Sequence, residues 1–227
     1  MRYLKSGFTV LAAVTSLSLV GGLSAYASPS GSAASGWHIG YYQSTAPQLS
    51  DAAAPSAQPG IASLNFTSED NTALLVTDQK ALYPTLLGDL SGKTITANFT
   101  ISGVTGDFTY YGEGTSSNTC GTPASTHLYF ETSNATGFDE THYWWSNPTS
   151  ATLANGTVTV TTTVTGADWS DFYGHLGNDP LYSAGFAAAA SHVTTIGLSF
   201  GGGCFFENGV GTTDGSGTLT LNSFTTS

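Results

Sequence analysis

From Thr94 to Ile101, the apolar residues Ile95, Ala97, Phe99 and Ile101 alternate with Thr94, Thr96, Asn98 and Thr100. A period of two puts the sets on opposite faces of an extended chain, so this segment predicts a half-buried β-strand. Leu64 and Phe66 alternate in the same way with Ser63, Asn65 and Thr67. Ala73-Leu74-Leu75-Val76 is a short apolar run, and Glu69-Asp70-Asn71 before it is turn chemistry, as is Leu90-Ser91-Gly92-Lys93. Further strands are expected at Phe108–Tyr111, Thr126–Thr132, Glu140–Ser146, Thr157–Val164, Thr194–Phe200 and Thr218–Thr225. In the last, Leu219 and Leu221 fall out of phase with Phe224, which predicts a bulge near Asn222-Ser223. Trp37 to Tyr42 reads as a first strand or an aromatic plug. Thr45 to Gly60, rich in Pro and Ala, reads as a loop or connector. Only Ser183 to His192, with its Ala run, has helical character. Many short antiparallel strands with one short helix near residues 183–192 predict an all-β fold: a two-sheet antiparallel β-sandwich of jelly-roll type.

The N-terminus changes the picture of the domain. Met1-Arg2-Tyr3-Leu4-Lys5 is basic, Phe8 to Leu23 is apolar, and Ala25-Tyr26-Ala27 is a small-x-small cleavage site. Residues 1–27 therefore read as a signal peptide, 28–59 as an N-terminal segment and loop, and 60–227 as the sandwich domain. The mature chain retains Lys80 and Lys93 against 15 acids, a net charge of −13. Such a chain repels phosphate backbones and anionic lipid, so nucleic acid is excluded as a partner and neutral partners are expected. No second apolar run is long enough for membrane insertion. Cys120 and Cys204 are the two cysteines of an exported chain and are expected to form a disulfide. No Cys or His spacing marks a transition-metal site. A structural calcium ion held by Asp and backbone oxygens suits an acidic sandwich, although no DxDxDG loop locates it.

Candidate chemistry lies on two strands. Residues 126–132 place His127, Tyr129 and Glu131 on one face and Leu128 and Phe130 on the other. Residues 140–146 similarly separate Glu140, His142 and Trp144 from Thr141, Tyr143 and Trp145. Paired side by side, His127, Tyr129, Glu131, Glu140, His142 and Trp144 would form a ligand-binding surface of rings, imidazoles and carboxyl groups. A pyranose stacks its C–H face on such rings, and the polar groups take its hydroxyls. The plainer alternative is that one tryptophan fills the core and the rest decorate a solvated face. Alternation requires Trp144 and Trp145 to diverge without saying which meets water; the binding reading places Trp144 there. Asp168 to Gly174, centred on Trp169, is a second aromatic segment: a binding loop or a loop pinned by a buried ring. Glu113, Glu131, Glu140 and Glu207 are the acids open to glycoside hydrolysis, but their spacing matches no ExDxxE strand. No GxSxG supplies a serine nucleophile, and Gly201-Gly202-Gly203 lacks the Lys-Ser/Thr of a phosphate loop. Sequons stand at Asn65, Asn98, Asn134 and Asn155.

Ile196-Gly197-Leu198-Ser199-Phe200, the Cys204-Phe205-Phe206 turn and Gly217-Thr218-Leu219-Thr220-Leu221-Asn222-Ser223-Phe224 resemble the closing strands of secreted bacterial jelly-roll modules. Leu87 to Thr94 resembles their loop into an early strand. The resemblance spans about residues 60–226 and implies a galactose-binding-like or carbohydrate-binding-module fold. The reading that follows is a secreted, extracellular, monomeric, non-catalytic sandwich that binds a neutral polysaccharide or oligosaccharide through aromatic stacking. A surface or matrix protein using the sandwich for protein contacts is the alternative, and a polysaccharide-acting enzyme the third. N-terminal sequencing of exported material is expected to begin at Ser28; material that begins at Met1 would refute the leader.

Overall fold

The computed structural model describes residues 34–43, 49–115, 118–133 and 138–227. The leader, the cleavage site and the Asn134 sequon lie outside the described residues. The expected two-sheet antiparallel sandwich is present, with one α-helix, α1 (Ser183–Ala190). The strands are β1 (Ala34–Gln43), β2 (Leu49–Pro55), β3 (Ala62–Phe66), β4 (Asp70–Thr77), β5 (Thr94–Ser102), β6 (Phe108–Tyr110) and β7 (Ser125–Thr132). After these come β8 (Tyr143–Ser146), β9 (Ala151–Thr152), β10 (Gly156–Thr163), β11 (Trp169–Ser170), β12 (Val193–Gly201), β13 (Val210–Thr212) and β14 (Gly217–Thr226). The large sheet runs β11-β8-β7-β12-β4-β1-β2, with β9 on β7 and the β6–β13 pair on β4. The small sheet runs β10-β5-β14-β3.

The core lies between the sheets, where alternation sends one side of each strand. Phe66, Phe99, Ile101 and Leu219 from the small sheet meet Leu75, Leu128, Phe130, Leu198 and Phe200 from the large one. Phe66 packs edge-on against Phe200 at 5.6 Å between ring centres. In β14 the pairing with β5 shifts between Leu221 and Ser223, the expected bulge. The bulge lets Leu219, Leu221 and Phe224 all turn inward despite their spacing. Facing outward, every small-sheet side chain is Thr, Ser or Asn, tied sideways in pairs such as Thr100–Thr157 at 3.0 Å and Asn98–Thr159 at 2.7 Å. Cys120 and Cys204 are bonded, their Cα atoms 5.0 Å apart.

Two expectations change. Of the two readings of Trp37–Tyr42 the strand is present, within β1, which pairs with β4; the change lies in the Thr45–Gly60 loop, where β2 pairs with β1 and joins the large sheet. Ala-rich β2 was concealed by weak strand propensity, but it is an edge strand, with the small Ala54 fully buried. The second change concerns strand 140–146. Asp139 Oδ1 accepts from the Thr141 N–H at 2.9 Å and its hydroxyl at 2.7 Å, capping a 3-10 turn over Glu140–His142. Only residues 143–146 are extended, and they pair so that Trp145 faces Tyr129 and Trp144 faces Phe130.

Directly opposed residues of an antiparallel pair share a face. Phe130 is core, so Trp144 is core too: it is fully buried, 4.9 Å from the Phe186 ring of α1, and its indole N–H donates to Thr141 O. Trp145, expected in the core, lies on the opposite face. Trp144→Ala is therefore expected to destabilise the domain by about 3–5 kcal/mol, the cost of an unfilled aromatic cavity. Urea unfolding measures it, and a loss below about 1 kcal/mol would contradict this placement.

Candidate functional site

Because Leu128 and Phe130 enter the core, His127, Tyr129 and Glu131 of β7 project from the outer face of the large sheet. Trp145 joins them, its ring 5.3 Å from that of Tyr129. The Tyr129 hydroxyl donates to Glu131 Oε2 at 2.6 Å, and the Thr195 hydroxyl donates to Oε1 at 2.9 Å. Two loops cover part of this face and leave a cleft of about 420 Å3. Tyr42 and Trp145 line it from the sheet, Phe172 and Tyr173 from the loop after β11, and Phe205, Phe206, Glu207 and Asn208 from the loop after β12. Its volume lies in the range of small-ligand sites.

The first loop is organised by Asp171, whose side chain is 1% exposed. Its Oδ1 accepts from the Tyr173 and His175 backbone N–H groups at 2.9 Å each, and its Oδ2 lies 3.0 Å from His175 Nδ1. The His175 ring stacks on Tyr182 at 4.0 Å. Phe172 and Tyr173 are thereby held out in water, 48% and 63% exposed. The second loop is tied by the disulfide and by two asparagines. Asn118 Oδ1 accepts from the Cys204 N–H at 2.6 Å, Asn208 Oδ1 accepts from the Gly202 N–H at 2.9 Å, and Asn208 Nδ2 donates to Tyr111 O at 2.8 Å. At Gly203 the backbone is left-handed (φ 64°), and a Cβ would stand 1.8 Å from Asn118 Oδ1, so this turn requires glycine.

Glu207 is the unusual group. It is partly buried on the cleft wall, and among the described residues no cation pairs with it or with Glu131. Burial first, and then the charge of Glu131, push its carboxyl up to about 8. The Trp145 indole N–H beside it favours the ionised form, the smallest of the three effects. Burial and the Glu207 charge also raise the Tyr42 phenol, and burial, Glu207 and Glu131 hold the Tyr129 phenol well above the usual tyrosine range. His127 is buried with Nδ1 2.7 Å from Ser146 O and its ring 4.1 Å from Phe206. Burial lowers it to about 4, so it is neutral and donates from Nδ1 to that carbonyl.

The sequence-predicted surface is thus corrected. Trp144 and Trp169 are core residues; Trp169 donates to Thr163 O and packs 4.7 Å from Phe130. His127 and Tyr129 lie on the expected face but are buried beneath the covering loops. Glu131 is engaged by Tyr129 and Thr195, and Glu140 and His142 sit on the 3-10 turn rather than in strand phase. None of these seven lines the cleft. Its walls come instead from the aromatic segment 168–174, whose Phe172 and Tyr173 do face water, and from the Phe205-Phe206-Glu207 turn. The clue to the second wall was an acid and two rings immediately after a bridged cysteine. Among the described residues, no three His, Cys, Asp or Glu side chains converge as a metal site. No helix there is long and apolar enough to cross a membrane.

The two shifted groups act on stability with opposite signs. His127 binds its proton less tightly when folded, so its contribution is lost as pH falls from 6.5 towards 4. Glu207 binds its proton more tightly when folded, so its contribution is present below 4.5 and lost as pH rises towards 8. The terms oppose each other between 4.5 and 6.5, and Glu207 acts alone from 6.5 to 8. Chemical denaturation is expected to show stability falling across that upper window, and Glu207→Gln should flatten the fall; an unchanged slope in the variant would refute the assignment. No family model matches this chain, nor does any curated protein or solved structure.

Proposed function

We propose that this protein is an exported, non-catalytic module that binds neutral glycan chains in the aromatic cleft on the outer face of its large sheet. The observation that carries the reading is the exposure of Phe172 and Tyr173 on a loop fastened by Asp171, beside Trp145 and a carboxyl group. Flat rings held in water at a cleft mouth suit the C–H face of a pyranose, and holding them in advance lowers the entropy lost on binding. The resemblance of the closing strands to secreted jelly-roll modules points the same way, and the disulfide suits an oxidising compartment.

Hydrolysis is less well supported. Glu207 has the proton affinity of a general acid, but the reaction needs a second carboxyl at the cleft. Glu131 does not line the cleft and is held by two hydroxyls, and both Asp171 oxygens are taken up within the loop. The protein-contact alternative draws on the exposed rings of Phe138 and Phe205.

Each stacked ring contributes on the order of 1 kcal/mol. Phe172→Ala and Tyr173→Ala are each expected to weaken oligosaccharide binding several-fold while leaving urea unfolding nearly unchanged. Binding should also be insensitive to salt, since a neutral ligand has no charge to screen. A glycan array followed by calorimetry tests this. Full affinity in the Phe172→Ala/Tyr173→Ala double variant would place the site elsewhere.

A further inference from the structure

The outer face of the small sheet lies on the far side of the sandwich from the cleft, and we propose that it binds ice. None of β3, β5, β10 and β14 contains a charged residue, although the chain holds 15 acids. Charges impose their own orientation on nearby water; a face without them leaves the first water layer free to take up a lattice. The outward positions are chiefly threonine, which carries a methyl group and a hydroxyl on the same carbon.

These side chains stand in rows. β5 and β10 pair without a shift over eight residues. β14 extends two of the rows, giving Thr157-Thr100-Thr220 on one side of its bulge and Thr161-Thr96-Thr225 on the other. Neighbouring strands lie about 4.8 Å apart, and alternate residues about 6.7 Å apart along a strand. Both repeats are close to those of the water oxygens on the prism plane of hexagonal ice. Every antiparallel sheet offers this spacing. Here small hydroxyl and amide side chains occupy it throughout, with no charge or ring among them.

The rows are also fixed before water meets them. Thr100 and Thr157 hydroxyls lie 3.0 Å apart, and those of Thr96 and Thr161 3.2 Å. Asn98 Nδ2 donates to the Thr159 hydroxyl at 2.7 Å, and Asn98 Oδ1 accepts from Asn222 at 2.8 Å. A β-branched side chain has few rotamers, and a sideways bond selects one of them. Side-chain ladders of this kind also hold a sheet flat across several strands. Thr157, Thr159 and Thr161 remain exposed, and each bonded hydroxyl oxygen keeps a lone pair for water. Other occupants match less well: an ionic ligand finds no charge, and a pyranose finds no ring to stack on.

The test is partition of the full chain into slowly grown ice, beside serum albumin as a protein that ice excludes. The unaltered protein is expected to be enriched several-fold over albumin. Thr159→Lys/Thr161→Lys should be excluded like albumin, whereas Thr152→Lys, exposed on β9 of the large sheet, should partition as the unaltered protein does. Exclusion of the unaltered protein overturns the proposal. Undiminished enrichment of the double variant overturns it too, by placing ice elsewhere, as does an equal loss in Thr152→Lys, which would make added charge the cause. Retention on insoluble chitin or cellulose that the double variant loses, without enrichment in ice, overturns it in favour of a polysaccharide surface. Urea unfolding checks that the double variant is folded; should it fail, Thr225→Lys on β14 takes its place and the unaltered protein still decides.

Discussion

The burial of Leu128, Phe130 and Trp144 between the two sheets is the constraint on which the rest of the molecule depends. These side chains set the phase of β7 and β8, and phase in a strand is all or nothing. With a side-chain period of two, placing one residue in the core sends both of its neighbours outside. Tyr129 and Trp145 reach the outer face by this rule. The Trp144 indole is further fixed by its hydrogen bond to Thr141 O, within the 3-10 turn that brings the chain into β8. The core thus determines the surface chemistry one residue away.

The cleft is built from irregular backbone on a regular floor, which is the usual division between scaffold and site. Each loop carries its own fastening. Asp171 gathers the first through three hydrogen-bonding contacts, and the disulfide with Asn118 and Asn208 gathers the second. These polar ties are short-range and directional, so they hold rings in water where no hydrophobic packing could. The cost appears at Glu207, an acid brought close to Glu131 without a neighbouring cation. It is accommodated by retaining a proton, since two nearby carboxyl groups in partial burial do not both ionise readily.

The two sheets present contrasting outer faces. The small sheet exposes Thr, Ser and Asn that bond sideways to one another, leaving it polar and uncharged. The large sheet exposes rings and carboxyl groups, then covers them with loops. Strands β5 and β10 pair without a break and β14 joins β5 through its bulge, whereas the loop after the short β11 and the loop between β12 and the short β13 fold back over the large sheet.

Alternation in β5, β7 and β14, the scarcity of helix formers and the two cysteines were sufficient by themselves to determine an all-β sandwich with a disulfide. Each of those signals is local or has a single solution. Even the β14 bulge was legible, because Leu221 and Phe224 cannot both turn inward without an extra residue between them. Other features depended on tertiary structure. Ala52-Ala53-Ala54 carries little strand propensity and became β2 because β1 offered it an edge. The choice between Trp144 and Trp145 was invisible in a segment where both neighbours are aromatic, since only the register against Tyr129 and Phe130 breaks that symmetry. Glu207 was one acid among several until the loop after β12 folded it towards Glu131 and Trp145. Periodicity reports which face a residue shares, whereas a site is made by residues distant in sequence, and packing alone decides which of them meet.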